Sequence, residues 1–184
     1  MTSYSRKTYY IVFIGLIVVS GLGFFLAFGN FRLFSNATLA PPTSTPDRFL
    51  PDVTLKDYRG DTLVLSELRG KALVINMWAS WCPYCTEELP LFAEIKKEFG
   101  DKILILAVNR GEPRETAARF SNEKVPGKDI LFLLDPDDSL YRAIGGFSMP
   151  ETLFVDGEGQ IMRQRRGPMQ KEELRRRIQD EFHL

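Results

Sequence analysis

Two cysteines separated by two residues directly follow a run of apolar residues, and this arrangement most constrains how the chain can fold. Cys82 and Cys85 are the only cysteines and lie in the sequence WCPYC at residues 81–85. The preceding run, Ala72 to Trp78, is apolar apart from one asparagine and predicts a buried central strand. A helix that begins at about Pro83 would surround the first sulfur with outward-pointing N–H groups, which favour thiolate over thiol. A thiolate with a second thiol in reach can attack a disulfide and resolve the mixed disulfide, so the motif indicates thiol–disulfide exchange.

The composition excludes several other kinds of site. The 184 residues include a single histidine, His183, next to the C-terminus. A Cys–His pair or a Ser–His–Asp triad inside a domain is therefore excluded, and two cysteines alone cannot complete a zinc site. The charges balance at 24 basic and 24 acidic residues, which gives no reason to expect a nucleic-acid partner. The sequence predicts no metal and no cofactor beyond the cysteine pair, although an inert structural disulfide stays an alternative.

Residues 1–34 predict a short cytoplasmic stub and a membrane anchor. Tyr9 to Phe28 carries no charge and is long enough to cross a bilayer, which takes about 20 apolar residues. Arg6 and Lys7 precede this run, so the positive-inside rule predicts a single-pass protein whose N-terminus is cytoplasmic and whose remainder is periplasmic or extracytoplasmic. A signal peptide cleaved near residues 35–37 and a buried core helix are the alternatives.

The remaining chain predicts a linker and one folded domain. Residues 35–48 are rich in proline, serine and threonine, as linkers are, and residues 49–184 form the predicted domain. Its patterns predict an α/β fold in which a mixed central sheet is flanked by helices and begins with a β-hairpin. The predicted strands are 53–55, 62–65, 72–78, 103–109, 130–134, 152–155 and 160–166, and the predicted helices are 83–99, 112–125, 137–144 and 170–182.

Two motifs resemble those of a known family. The run NMWASWCPYC at residues 76–85, followed by ELP at 88–90, resembles the thioredoxin superfamily, in particular its membrane-anchored TlpA/ResA/CcmG (DsbE) group. The run MPETLFVDGEG at 149–159 resembles the cis-proline segment of that group and the hairpin after it. The resemblance covers about residue 48 to the C-terminus and implies a thioredoxin-like fold and an extracytoplasmic protein-disulfide reductase. It further implies client disulfides such as those of apocytochrome c in cytochrome c maturation, and a membrane thiol transporter of the DsbD/CcdA type as electron donor.

The residues around the cysteine pair have distinct predicted roles. Cys82 is predicted to be the partly exposed attacking nucleophile, and Cys85, one helical turn deeper, the resolving thiol. Pro83 fits an early helical position, where it has no N–H to lose, and Tyr84 is expected to cover the pair. Trp81 is expected on the surface of the site. No histidine separates the cysteines, which favours a reductant over an oxidase of the DsbA kind.

A carboxylate is expected to serve the deeper thiol. Asn76 occupies the position at which thioredoxins carry a buried aspartate, and asparagine cannot accept a proton. Glu88 follows Cys85 by three residues, and the resemblance implies that a carboxylate in this helix can replace that aspartate. Half-buried, it would have a raised pKa and could accept the Cys85 proton. The alternative is a solvated helix charge, as expected for Glu87.

The second motif adds a loop to the predicted site. The resemblance implies that the Met149–Pro150 peptide bond is cis, that this loop lies against the cysteines, and that the Met149 backbone can pair with a substrate strand. Glu151 is expected either to present a charge to a partner or to be merely exposed.

Two other features predict structure rather than chemistry. Trp78 is expected to be an ordinary core residue. Arginines at residues 163, 165, 166 and 175–177 lie close to acids at 172, 173, 180 and 181 and predict an ion-paired, solvated face rather than a lipid-binding one.

Two alternative functions remain open from the residues, and a third is disfavoured. An oxidase or isomerase would differ only in reduction potential, and a non-catalytic docking module would not need its cysteines. A thiol peroxidase needs a Thr-x-x-Cys site, which ASWC at residues 79–82 does not match.

Overall fold

Seven strands and four α-helices make up the described part of the chain. The computed structural model describes residues 48–127 and 129–184, so the predicted anchor at 1–34 and nearly all of the predicted linker at 35–48 lie outside the described residues. Within these two ranges no helix has the length and apolar character to cross a bilayer. The elements are β1 (Thr54–Asp57), β2 (Thr62–Val64), β3 (Ala72–Trp78), α1 (Pro83–Phe99), β4 (Ile103–Arg110), α2 (Arg114–Lys124), β5 (Leu131–Asp135), α3 (Ser139–Ala143), β6 (Glu151–Val155), β7 (Ile161–Arg166) and α4 (Lys171–Phe182), with 3₁₀ turns at Leu65–Leu68 and Gly100–Lys102.

The strands form one mixed sheet in the order β2-β1-β5-β4-β3-β6-β7. β4 is parallel to both β3 and β5, as expected for strands joined by crossover helices. β1 pairs antiparallel with β2 and with β5, and β6 pairs antiparallel with β3 and with β7. β3 therefore lies inside the sheet between β4 and β6, which explains why its sequence is apolar on both faces.

Alternate residues of β3 enter two separate cores, one on each face of the sheet. Val74 and Trp78 pack in the core that contains α1, α2 and α4, whereas Leu73, Ile75 and Met77 pack in the core beneath α3. A fully buried side chain of this size contributes about 1.5–3 kcal/mol relative to an exposed one. The sheet with helices on both faces confirms the predicted α/β architecture.

The helix that follows β3 begins and ends where the sequence predicts. Cys82 is its N-cap with an extended backbone, Pro83 is its first residue, and Gly100 ends it with a positive φ of 58°. Pro90 lies inside α1, where it removes one backbone donor. The helix continues through this position because Leu89 and Phe92 on its inner face are fully buried.

Two helices are shorter than predicted because a residue near each start has another partner or another backbone conformation. α2 begins at Arg114 rather than 112, since the Glu112 carboxylate binds the backbone N–H of Ser80 at 2.8 Å instead of joining the helix. α3 begins at Ser139 rather than 137, because Asp138 has a left-handed φ of 54°.

Ion pairs cover the face formed by β7 and α4, as the charge pattern predicts. Arg165 and Arg177 both contact Glu173, at 3.2 and 2.8 Å, and Arg163 pairs with Glu181. Arg175 of α4 donates two hydrogen bonds to Glu98 of α1 and so links the two helices. Partly exposed pairs of this kind contribute little individually, in the range of about 0–1 kcal/mol each.

Candidate active site

The two cysteines form a disulfide at the start of α1. Cys82 and Cys85 are bonded through their Sγ atoms, and their Cα atoms are 5.3 Å apart. The backbone N–H of Cys85 donates to Cys82 Sγ at 3.2 Å, so the first sulfur already receives a helix N–H group. Because unpaired N–H groups give a helix N-terminus a partial positive charge, the same place favours a Cys82 thiolate once the disulfide is reduced.

The disulfide is less accessible than the sequence indicates. Cys82 was expected to be partly exposed, but it is only 4% exposed, and Cys85 is fully buried. The prediction for Cys82 is wrong because the bond to Cys85 holds its sulfur within the core cluster under α1. Trp81 and Tyr84 on either side are 60% and 59% exposed, which confirms the expected surface position of Trp81. A client that reaches this sulfur therefore meets two exposed aromatic side chains next to it in the chain.

The loop before β6 carries the second motif and packs on the core that contains the cysteines. The Met149–Pro150 peptide bond is cis, as the resemblance implies. Met149 is partly buried and packs against the cluster that contains Cys82 and Cys85. The Pro150 carbonyl accepts a hydrogen bond from the Gly167 N–H at 2.9 Å, which ties the loop to the end of β7.

Glu151 was expected either to present its charge to a partner or to be merely exposed, and both expectations are wrong. Its side chain is fully buried, because β6 lies between β3 and β7. It accepts hydrogen bonds from the Phe147 N–H and from Arg166 Nε, each at 3.1 Å, and from the Gln164 side-chain amide. Glu151 and Arg166 are direct partners in the register of the β6–β7 hairpin. The predicted hairpin could have indicated Arg166 as a neighbour of Glu151, but such a pairing does not show that Glu151 is buried.

Glu88 is more deeply buried than expected, at 2% exposure. Its Oε1 accepts from the Met169 N–H at 2.9 Å, and its Oε2 from Asn76 Nδ2 at 3.4 Å. Burial raises the pKa of Glu88 to about 7, and these hydrogen bonds oppose the rise. A carboxyl with this pKa, one helical turn beyond Cys85, can hold or release a proton near neutral pH. The sequence carries no motif that identifies Met169 as its partner.

Glu88→Gln is expected to change how stability depends on pH. Between pH 4.5, the ordinary Glu88 pKa, and about 7, its folded value, the folded chain binds a proton that the unfolded chain has lost. Stability from this group is therefore complete below the lower value and is lost as pH rises through the higher one, with a slope of up to about 1.4 kcal/mol per pH unit. Urea unfolding at several pH values should show a shallower fall in the free energy of unfolding for the variant. Equal slopes in this interval for both proteins would contradict the assignment, and Glu87→Gln, at an exposed site, is the matched control.

A second carboxylate, which the sequence reasoning missed, fixes the segment before the cysteines. Glu112 accepts hydrogen bonds from Ser80 N at 2.8 Å, from Ser80 Oγ at 2.5 Å and from Asn109 Nδ2 at 2.6 Å. Asn109 lies near the carboxyl end of β4 and Ser80 follows the end of β3. Because β3 and β4 are parallel neighbours, these ends share one edge of the sheet. From the sequence, these three residues could have been expected to lie together only because the predicted parallel strands β3 and β4 end at the same edge of the sheet.

Exchange between dithiol and disulfide needs two sulfurs within bonding distance and a stabilised thiolate, and Cys82 and Cys85 at the start of α1 meet both needs. The fold and this site define a thiol–disulfide oxidoreductase with a thioredoxin-like fold. Residues 45–178 match the Redoxin family, and the chain belongs to that family.

Known relatives and solved structures agree with this class. The chain is 29% identical over 165 residues to the thiol-disulfide oxidoreductase ResA of Geobacillus thermodenitrificans, which covers 89% of this chain and 90% of that protein. It is 32% identical over 153 residues to the thiol:disulfide interchange protein DsbE of Allochromatium vinosum, covering 80% and 82%. The solved structure of MTB dsbF in its mixed oxidized and reduced forms superposes with a TM-score of 0.65 and 28% identity, covering 71% of this chain and 95% of that one.

Proposed function

We propose that this protein is a membrane-tethered reductant of protein disulfides that works outside the cytoplasm, with the haem-binding cysteines of apocytochrome c as its clients. The observation that carries the proposal is the Cys82–Cys85 disulfide at the start of α1, one turn before a buried Glu88 whose pKa is about 7. The resemblance to the TlpA/ResA/CcmG (DsbE) group supports the choice of client. The uncharged run Tyr9 to Phe28 supports the tether and the single-pass topology.

The reaction begins with the reduced form of the pair. The Cys82 thiolate attacks one sulfur of the client disulfide, an intermolecular disulfide forms, and the other client sulfur leaves as a thiolate. Cys85 then attacks Cys82 Sγ, which closes the disulfide seen here and releases the second client thiol. Two electrons and two protons pass from the Cys82–Cys85 dithiol to the client disulfide.

Glu88 has its role in the second step. Cys85 is fully buried, so water cannot easily take the proton from its thiol. A Glu88 carboxylate on the same helix accepts this proton as Cys85 becomes the attacking thiolate. Asn76 cannot take the proton but donates a hydrogen bond to Glu88 and, at 3.1 Å, to Thr152 Oγ1, so it holds the carboxyl in place.

The cycle needs an external source of electrons and no bound cofactor. A membrane thiol transporter of the DsbD/CcdA type would return the disulfide to the dithiol by the same exchange in reverse. The absence of histidine from the Pro83–Tyr84 pair between the cysteines supports the reducing direction.

The Cys85→Ala variant tests the proposed client. It keeps the attacking thiol but cannot resolve the mixed disulfide, so it should accumulate disulfide-linked to its client. We expect mass spectrometry of the captured species, from cells that express the full chain, to find apocytochrome c joined to Cys82. The matched control is the double variant Cys82→Ala/Cys85→Ala, which should capture nothing.

The reduction potential of the Cys82–Cys85 pair tests the proposed direction. A reductant should have a strongly negative potential, close to the roughly −270 mV of thioredoxin. A value near about −120 mV, typical of DsbA, would instead identify an oxidase. Equilibration against glutathione or dithiothreitol buffers measures this potential directly.

A further inference from the structure

Most of the large apolar side chains that the described residues expose lie on the two segments that form the site. Trp81 and Tyr84 flank Cys82, and Phe147, two residues before Met149, is the most exposed of all at 85%. Exposed apolar side chains scattered singly are ordinary, whereas several around one site often mark a contact surface. The complete set of exposed large apolar side chains in these ranges is Phe49, Trp81, Tyr84, Phe147 and Leu184.

Buried contacts fix the backbone on both sides of Phe147. Its N–H donates to the fully buried Glu151 carboxylate at 3.1 Å. The Tyr141 hydroxyl donates to the Ser148 carbonyl at 3.0 Å. Gly146 lies so close to the Tyr141 ring that an added Cβ would be 2.5 Å from it, so only glycine fits there. These contacts hold the backbone of the loop in place, so the exposed Phe147 ring has a defined position.

A positive charge lies beside this ring. The Arg166 guanidinium carbon is 6.0 Å from the centre of the Phe147 ring, and the arginine side chain is 51% exposed. Arg166 Nε pairs with Glu151 at 3.1 Å, while Arg48 binds Gln164 and the Ile144 carbonyl. Two arginines and one carboxylate share this cluster, so the half-exposed guanidinium keeps a net attraction for an acidic group.

We propose that Phe147 and Arg166 form a recognition surface for client polypeptides that carry an apolar and an acidic side chain next to the reactive disulfide. The inference rests on the proposed function, because it concerns the disulfide that Cys82 attacks. The apolar side chain would cover Phe147, and the acidic one would pair with the exposed edge of Arg166. This surface selects among clients and takes no part in the exchange of electrons.

Three disulfides of matched reactivity test the surface on the reduced full chain. Two are synthetic peptides with an internal Cys-x-x-Cys disulfide, one with Leu and Asp before the first cysteine and the other with Ser and Lys. The third is 2-hydroxyethyl disulfide, a small neutral molecule that offers neither an apolar side chain to Phe147 nor a carboxylate to Arg166. In single-turnover measurements we expect the Leu–Asp peptide to react about tenfold faster than the Ser–Lys peptide.

The variants Phe147→Ala and Arg166→Gln should each remove most of this preference, about 3–10-fold, and leave the rate with 2-hydroxyethyl disulfide unchanged. Arg166→Lys, which keeps the charge beside the buried Glu151, should retain the preference for the acidic peptide. Two variants serve as controls. Phe49→Ala changes an exposed phenylalanine that forms a β-bridge with Gln160, just before the first residue of β7, whereas Arg166 is its last residue. Arg176→Gln changes an exposed arginine of α4. Neither control should alter the preference.

An unchanged peptide preference in Phe147→Ala would overturn the inference. So would an equal loss of rate with all three disulfides, because that result would make Phe147 a support for the cysteines rather than a client contact. A wild-type chain that reacts with none of the disulfides would instead overturn the proposed function, and the inference with it.

Discussion

Cys82→Ala should abolish reduction of disulfides by this protein, with a loss of at least about 10³-fold in rate. Cys82 is the sulfur at the N-cap of α1, where helix N–H groups stabilise a thiolate. Cys85 cannot replace it, because Cys85 is fully buried and no client sulfur can approach it in line. The measurement is the rate at which the reduced full chain reduces oxidised glutathione and insulin.

The Cys85→Ala variant is the matched control for this experiment. It loses the same intramolecular disulfide but keeps the attacking thiol, so it should form a mixed disulfide at close to the wild-type rate in a single turnover. Far-UV circular dichroism would establish that both variants keep the helices. A Cys82→Ala protein that retains a tenth of the activity, or that still fulfils its cellular role, would favour the docking-module alternative.

Trp78→Ala should lower the free energy of unfolding by about 3–5 kcal/mol. Trp78 is fully buried at the end of β3, with ring centroids 5.8 Å from Phe120 and 6.3 Å from Phe132. Truncation leaves a cavity between the sheet and α2 that rigid neighbours cannot fill. Urea denaturation followed by circular dichroism measures the loss.

Two variants separate this packing effect from other effects of losing a tryptophan. Trp78→Phe keeps most of the volume, and the indole N–H that it removes has no hydrogen-bond partner among the described residues, so it should cost less than about 2 kcal/mol. Trp81→Ala removes the same side chain from a site that is 60% exposed and should cost less than about 1 kcal/mol. Similar losses for Trp78→Ala and Trp81→Ala would contradict the core assignment.

The elements near the cysteines were predictable because their signals are local. The apolar run at Ala72–Trp78 and the stop at Gly100 depend on periodicity and on backbone conformation, which neighbouring residues decide. The boundaries of α2 and α3 were predicted less well. Glu112 and Asp138 take partners or conformations that a helical pattern does not reveal.

Burial of charged groups could not be predicted in the same way. The pattern allowed Glu151 to be exposed, yet its strand became internal once β7 paired with β6, and Arg166 became its partner. Cys82 was expected near solvent, yet its bond to Cys85 keeps it almost covered. For Glu151 the outcome depends on strand pairing, and for Cys82 on a disulfide that packs into the core cluster, and a pattern of residue types shows neither.

The sequence by itself determined the strand and helix that present the cysteines and the spacing of the two sulfurs, because each depends on short-range geometry along the chain. Only the tertiary structure decided how far the pKa of Glu88 is raised and which residues contact Phe147. The pKa of Glu88 follows from removal of water and from the Met169 N–H, which lies 81 residues away along the chain. Electrostatic energies depend on the distance between groups in space and on how much solvent remains between them, and the fold sets both.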